Sequence, residues 1–236
     1  MKRRCVHLLC GVFAAFALAF AAHAGADQTM MTTDSQTARV VLPAPDTTGT
    51  RTVESVIASR RSRREFTGEP VSTATAGQLL WSAQGITGAG MLRAAPSAGA
   101  TYPLETYLVA GAVEGLAPGL YRYLPQGHRL ELVKAGDLRR EIAAAALSQQ
   151  WIADAPVIVA ISAVYERTAA RYGRQRATRY VDMEAGHAAQ NLYLQAEALG
   201  LGTCSVGAFD DSRVRTVLGL PPQETPLLLL PVGKTP

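Results

Sequence analysis

The chain has 236 residues, of which 48% are hydrophobic and 18% charged, with 23 basic against 19 acidic side chains. That is enough apolar content for one domain with a proper core. Three of the positive charges, Lys2, Arg3 and Arg4, stand at the very start; past residue 24 the balance is 20 to 19, and a global case for nucleic-acid binding fails.

The opening "MKRRCVHLLCGVFAAFALAFAAHA" joins a basic stretch to an apolar one over residues 8–22 and an Ala22-His23-Ala24 cleavage pattern. This predicts a signal peptide over residues 1–24, an exported protein (periplasmic or secreted), and no stable membrane span in the mature form, the apolar stretch being too short and wrongly flanked. Arg3-Arg4 also permits twin-arginine export, although "RRCVHLL" matches that signal poorly. Cys5 and Cys10 leave with the leader, so Cys204 is alone and no intramolecular disulfide is expected. Only His128 and His187 survive processing, and no C-x-x-C or H-E-x-x-H spacing exists, so no metal site is expected.

Residues 25–50 are polar and rich in Thr, Ala and Pro, and read as an N-terminal arm, flexible and then extended around "VVLPAP". Residues 51–236 read as one domain. "TVESVIASRR" spaces Val53, Val56 and Ile57 as a helix behind a Thr52 cap, and "STATAGQLLWSAQG" reads as a second helix from Ser72 to Gly85. "ETYLVAGAV" has strand character, and "GLYRYLPQGHRLELVK" reads as two strands turning at Gln126-Gly127. A helix capped by Asp137, the buried strand "APVIVAISAV" and the long helix "RYVDMEAGHAAQNLYLQAEALG" follow, then a short helix from Asp210 and the strand "TPLLLLPVG". On the long helix, Ala185, Gly186, Ala189, Leu192, Tyr193 and Ala196 form a face of mostly small residues suited to close helix packing, in the core or between two subunits. The irregular alternation of helices and strands favours an α+β fold over a doubly wound parallel sheet.

Chemistry concentrates in four places. In "RRSRREF", an extended chain puts Arg60, Ser62 and Arg64 on one side and Arg61 and Arg63 on the other. Two guanidiniums and a hydroxyl on one side suit a phosphate; the bland alternative is arginines complementing a helix C-terminus. "APSAGATYPLE" offers small residues, Pro96, Ser97, Ala98 and Gly99, through which backbone can approach a planar ligand, and is otherwise an ordinary tight loop. Gly207-Ala208 in "VGAFDD" exposes backbone near a helix start, and Lys234 in "LPVGK" is an isolated cation after a buried strand. "GITGAGM" does not fit G-x-G-x-x-G, and neither a Walker A motif nor G-x-S-x-G occurs.

Taken in order over residues 50–236, "RRSRREF", "LLWSAQGITG", "APSAGATYPLE", "GLYRY", "YVDMEAGHAAQNLYLQAEALGLGTC", "VGAFDD" and "LPVGK" resemble the FMN-dependent nitroreductase family, in its SagB-type dehydrogenase branch. The resemblance implies a nitroreductase-like fold, a central mostly antiparallel sheet flanked by helices, in an intertwined homodimer with FMN at the interface. It implies that Arg60, Ser62 and Arg64 hold the flavin phosphate and ribityl chain, with Lys234 completing the clamp. Pro96, Ser97, Ala98 and Gly99 would approach the ring, and Gly207 and Ala208 would meet the flavin N5 region. Tyr102 and Tyr180 are the weak candidates for catalysis. Azoline-oxidising relatives carry Lys-Tyr where this chain has Arg179-Tyr180; an arginine is a poor base, which disfavours peptide azoline oxidation. The implied reaction is two-electron hydride transfer with a small-molecule or peptide substrate and NAD(P)H or another donor. Export favours a donor other than free nicotinamide, or an oxidase. A flavin-binding protein without turnover, a maturation factor docking through residues 25–50, and a polyanion binder are the competing expectations.

Overall fold

The fold is described from a computed structural model covering residues 39–236; the expected signal peptide and the first part of the arm lie outside the described residues. In chain order the elements are β1 (Arg39–Val41), α1 (Val53–Ser59), β2 (Val71–Ser72), α2 (Thr73–Gln84), β3 (Leu104–Ala110), β4 (Val113–Glu114), β5 (Gly119–Leu124) and β6 (Arg129–Ala135). Then come α3 (Arg139–Ala145), α4 (Trp151–Asp154), β7 (Val157–Ala163), α5 (Tyr165–Tyr172), α6 (Arg174–Ala198), β8 (Gly202–Thr203), α7 (Asp211–Leu218) and β9 (Thr225–Gly233).

Strand β7 shows why the sheet sits where it does. Its sequence VIVAISA is buried throughout, and alternate residues serve opposite faces. Val157, Val159, Ile161 and Ala163 join a core with residues of α2 and α6, while Ile158 and Ala160 join a second core with residues of α3 and α7. A strand that is apolar on both sides must lie between two helical layers, and β7 is central in the sheet order β1-β6-β5-β3-β7-β9-β8. Every neighbouring pair in that sheet is antiparallel. The α+β expectation holds. The one parallel pairing between named strands is the small separate β2–β4 ladder.

The helix starts follow their caps. Thr52, Ser72 and Asp210 each accept a hydrogen bond from the backbone N–H three residues on. Asp137 does not cap α3 in this way: its carboxylate accepts from the Arg139 N–H and guanidinium, and the cap position passes to Leu138. The long helix starts earlier than the sequence predicts, at Arg174, because Gly173 (φ 78°) breaks the chain from α5. Its small-residue face is largely spent inside the subunit, since Ala185, Ala189, Leu192 and Ala196 are buried. Gly186 and Gln190 remain exposed. Within the arm, Arg39–Val41 forms an edge strand against β6, fastened by the Arg39–Glu131 ion pair at 3.0 Å.

Candidate active site

After α1 the chain runs extended along the β8 edge of the sheet. Ser62 bridges Thr203 in parallel, and the Arg63 N–H donates to the Thr203 carbonyl at 2.9 Å. The arginines then separate as an extended chain requires. The Arg61 guanidinium folds back onto the Ala58 and Arg60 carbonyls, capping the end of α1. The Arg63 side chain lies against Gly202. On the other side, the Arg60 guanidinium stacks 5.2 Å from the Tyr193 ring and the Ser62 hydroxyl meets the Tyr193 hydroxyl at 3.2 Å. Arg64 lies 5.9 Å over the Trp151 ring, which also packs against Phe66.

Tyr193 joins this edge to the next piece. Its hydroxyl accepts the Ser205 N–H at 2.6 Å, two residues before Gly207. A Cβ placed on Gly207 would meet no atom within 4 Å, so its backbone faces open space. Gln149, two residues from Trp151, donates to the Ala208 carbonyl at 3.0 Å. Arg60 and Ser62 therefore gather at Tyr193 and Arg64 and Ala208 at the Gln149–Trp151 segment, with residues 205–208 running between the two groups. A cavity of about 400 Å³ opens beside Tyr193 between α6 and β9, lined by Ala185, Gly186, Ala189, Tyr193, Ser205 and Leu228 among others. Lys234 is placed elsewhere: its ammonium pairs with Glu69, though its carbonyl accepts the Thr67 N–H beside the same segment.

The loop with Pro96, Ser97, Ala98 and Gly99 also stands against α6, and the chain just ahead of it is anchored two residues from Tyr193. Asn191 donates to the Ala94 carbonyl, and the Ser97 hydroxyl accepts the Tyr102 N–H at 2.9 Å. Gly99 (φ 60°) is closely covered by Arg171 and Tyr172, since a Cβ there would fall 2.5 Å from the Tyr172 hydroxyl. Tyr102, at φ 44°, is held by the bond its N–H donates to Ser97, by Arg167 on its carbonyl, and by Arg93 at 4.8 Å over its ring. Pro96, Ser97 and Ala98 line a second cavity of about 240 Å³ with Tyr180, Met183, Glu184 and His187.

Sequence reasoning missed Glu184. It is 3% exposed, and its Oε1 is buried without a hydrogen-bond partner. Burial pushes its carboxyl up to about 7, against the pull of the Ser97 hydroxyl and the Arg93 guanidinium. The signal was in the spacing: Glu184 falls three residues after Val181 and four before Ala188, both buried on the core face. Tyr193 and Trp151 were missed as supports because their contacts cross 131 and 87 residues of chain to Ser62 and Arg64. The cavity of the Ser97 loop opens at an earlier stretch of α6 than the Ser62 contact. Ser62 touches α6 at Tyr193, whereas the loop faces Tyr180, Glu184 and His187, roughly 9–20 Å away along the helix.

Comparison with known proteins follows this geometry. A protein of Methanocaldococcus jannaschii named as a nitroreductase is 46% identical over 182 residues, covering 77% of this chain and 90% of that protein. The trifolitoxin-processing protein TfxB of Rhizobium leguminosarum is 29% identical over 140 residues, 58% of this chain and 38% of its own. Among solved structures, a Ralstonia eutropha protein described as a nitroreductase superposes with TM-score 0.74 at 29% identity, covering 84% of this chain and 90% of that one. The NADPH:FMN oxidoreductase of Vibrio harveyi shares the fold at TM-score 0.56 and 22% identity, covering 78% and 68%. The model of the Nitroreductase family matches residues 57–234, and the chain belongs to that family of oxidoreductases.

Proposed function

We propose that this protein is an FMN-dependent oxidoreductase of the SagB type, exported and homodimeric, that carries out two-electron hydride transfer with a small-molecule or peptide substrate. The observation that carries the reading is the convergence of Arg60, Ser62 and the Ser205 N–H on the Tyr193 ring and hydroxyl, two residues before the open Gly207 and beside a 400 Å³ cavity. That set fits FMN. Guanidiniums and a hydroxyl on an exposed edge donate to a phosphate, and the backbone at Gly207 can approach a flat ring without a side chain intervening. When bound, FMN would supply the hydride chemistry, and the residues around it would orient it and tune it by hydrogen bonds. Lys234 would have to release Glu69 to join the clamp.

The homodimer is supported by the division of the site. Gly186 and Gln190 lie on α6 between the Tyr193 end and the Glu184 end, and both are exposed. Two α6 helices crossing antiparallel there would bring the Ser62–Tyr193 edge of one chain to the Ser97 loop of the other. The SagB branch is supported by the ordered motifs and by the likeness to a toxin-processing protein. Export rests on residues 1–24, and a reporter fused to them tests it by its location.

The deciding experiment is the visible spectrum of the purified protein before and after adding FMN. Flavin bands, present or gained, support the reading; their absence after addition overturns it. Anaerobic mixing with NADH or NADPH then separates turnover from passive flavin binding.

A further inference from the structure

The turn between α3 and α4 reaches the candidate site at two points. Trp151, the first residue of α4, lies under the Arg64 guanidinium at 5.9 Å, and Gln149 donates to the Ala208 carbonyl at 3.0 Å. The Gln149 side chain is already fixed on its own turn. The Ala146 carbonyl accepts both its backbone N–H at 3.2 Å and its Nε2 at 2.9 Å, which leaves the second amide hydrogen for Ala208. Both acceptors are carbonyl oxygens, so only the amino end of the side chain can serve them. To make this turn, Leu147 and Ser148 both take left-handed backbone, at φ 55° and 59°, with both side chains exposed. Two consecutive non-glycine residues in that region are strained, and such strain persists where surrounding contacts impose it.

The segment that Gln149 meets is held on both flanks and open in the middle. The Ser205 N–H donates to the Tyr193 hydroxyl at 2.6 Å, Val206 exchanges both backbone bonds with Leu229, and the Asp210 N–H donates to the Ala145 carbonyl at 3.0 Å. Between them the N–H groups of Gly207 and Ala208 have no acceptor among the described residues, and both residues are exposed. Among the described residues, the bond from Gln149 is the only hydrogen bond that these two residues make. We propose that Gln149 is a positioning residue that holds the Gly207–Ala208 backbone so that its free N–H groups stabilise the reduced, more negatively charged flavin. The assignment deepens the function proposed above and rests on its FMN. Donors fixed in advance where negative charge accumulates stabilise it without reorganising, whereas a segment free to turn does so less.

The test is the reduction equilibrium of bound FMN against a reference dye, in the unmodified protein and in Gln149→Met, which keeps the length of the side chain and loses the donor. Fluorescence quenching gives the affinity for oxidised FMN in the same samples. Oxidised FMN should bind within about threefold of the unmodified protein, since Arg60, Ser62 and Arg64 are untouched. The equilibrium should move about tenfold towards oxidised flavin, which is about 30 mV for two electrons. A segment that was merely disordered would weaken both forms of the flavin alike and leave the equilibrium where it was. A shift of less than about threefold, or one towards reduced flavin, overturns the proposal. Hydrogen exchange of the unmodified protein decides even if the variant fails to fold. Without flavin, the Gly207 and Ala208 amides should exchange at least about tenfold faster than those of Ser205, Val206 and Asp210, and added FMN should slow them by a similar factor. Equal rates, or no slowing by bound FMN, would reject the arrangement. An unmodified protein that takes up no FMN overturns both proposals, whereas bound FMN with an unmoved equilibrium in Gln149→Met overturns this one alone.

Discussion

Arg60 and Arg64 differ from Arg61 and Arg63 in what already occupies them. Arg61 spends its donors on the α1 carbonyls and Arg63 packs on Gly202, whereas Arg60 and Arg64 only stack on Tyr193 and Trp151, leaving donors for a ligand. Arg60→Ala and Arg64→Ala should each weaken FMN binding about 10- to 100-fold, the worth of one charge-assisted hydrogen bond. Arg63→Ala should change it less than about twofold on the same scale, with fluorescence quenching on FMN titration as the measurement. This division was legible in the sequence because extended chain has period two. The Lys234–Glu69 pair was not, since it joins residues 165 positions apart and nothing local encodes it. Glu184 adds a pH signature. Its ordinary value is 4.5 and its folded value about 7, so across that window the native chain keeps a proton that the unfolded chain has lost. Stability therefore falls as pH rises between the two values. Glu184→Gln removes the ionisation. Its stability relative to wild type, followed by urea unfolding, should improve from pH 4 to pH 8 by up to about 3 kcal/mol.

At the scale of elements, what the sequence revealed were segments with internal periodicity or a local cap. Helix α2 runs from the Ser72 cap to Gly85 as its sequence predicts, and Ser72→Ala should cost about 1 kcal/mol in chemical denaturation through loss of the bond from the Thr75 N–H. The elements that escaped are short and exist only through distant partners. β8 has two residues, and β1 has three within the arm of residues 25–50, whose extended course the sequence predicts but whose pairing with β6 it does not. Yet β8 positions the edge segment proposed to hold the phosphate. Gly202 faces Gly233 across the ladder, and a Cβ on it would fall 2.4 Å from Thr235 Cγ2 and 2.7 Å from Arg63 Cβ. Gly202→Ala should therefore push residues 60–66 off the sheet edge. We expect a stability loss of about 1–3 kcal/mol, the range for overpacking, and a loss of FMN affinity approaching that of Arg60→Ala. Retained FMN affinity in a folded Gly202→Ala protein would show that the edge segment does not set the clamp.

At the scale of the whole molecule, the proposed homodimer would join the Ser62–Tyr193 edge of one chain to the Ser97 loop of the other, which sit at different stretches of α6. Gly186 tests that requirement at a position that contacts neither Ser62 nor the Ser97 loop, although it lines the 400 Å³ cavity. It lies mid-helix, is exposed, and a Cβ added to it meets nothing within 4 Å in its own subunit. Gly186→Ala should then be tolerated and even stabilise the subunit by up to about 1 kcal/mol, since glycine is a poor helix former. A tryptophan at the same place has room in the subunit but none between two crossing helices. On the proposed dimer, the wild type should sediment as a dimer and Gly186→Trp as a monomer that keeps its helical circular dichroism and binds FMN at least 100-fold more weakly, about 3 kcal/mol. The pairing of the two losses is what discriminates. A monomeric Gly186→Trp protein that still binds FMN normally would place the whole cofactor site in one chain. A dimeric one would move the interface away from α6, and with it the reason for the exposed glycine.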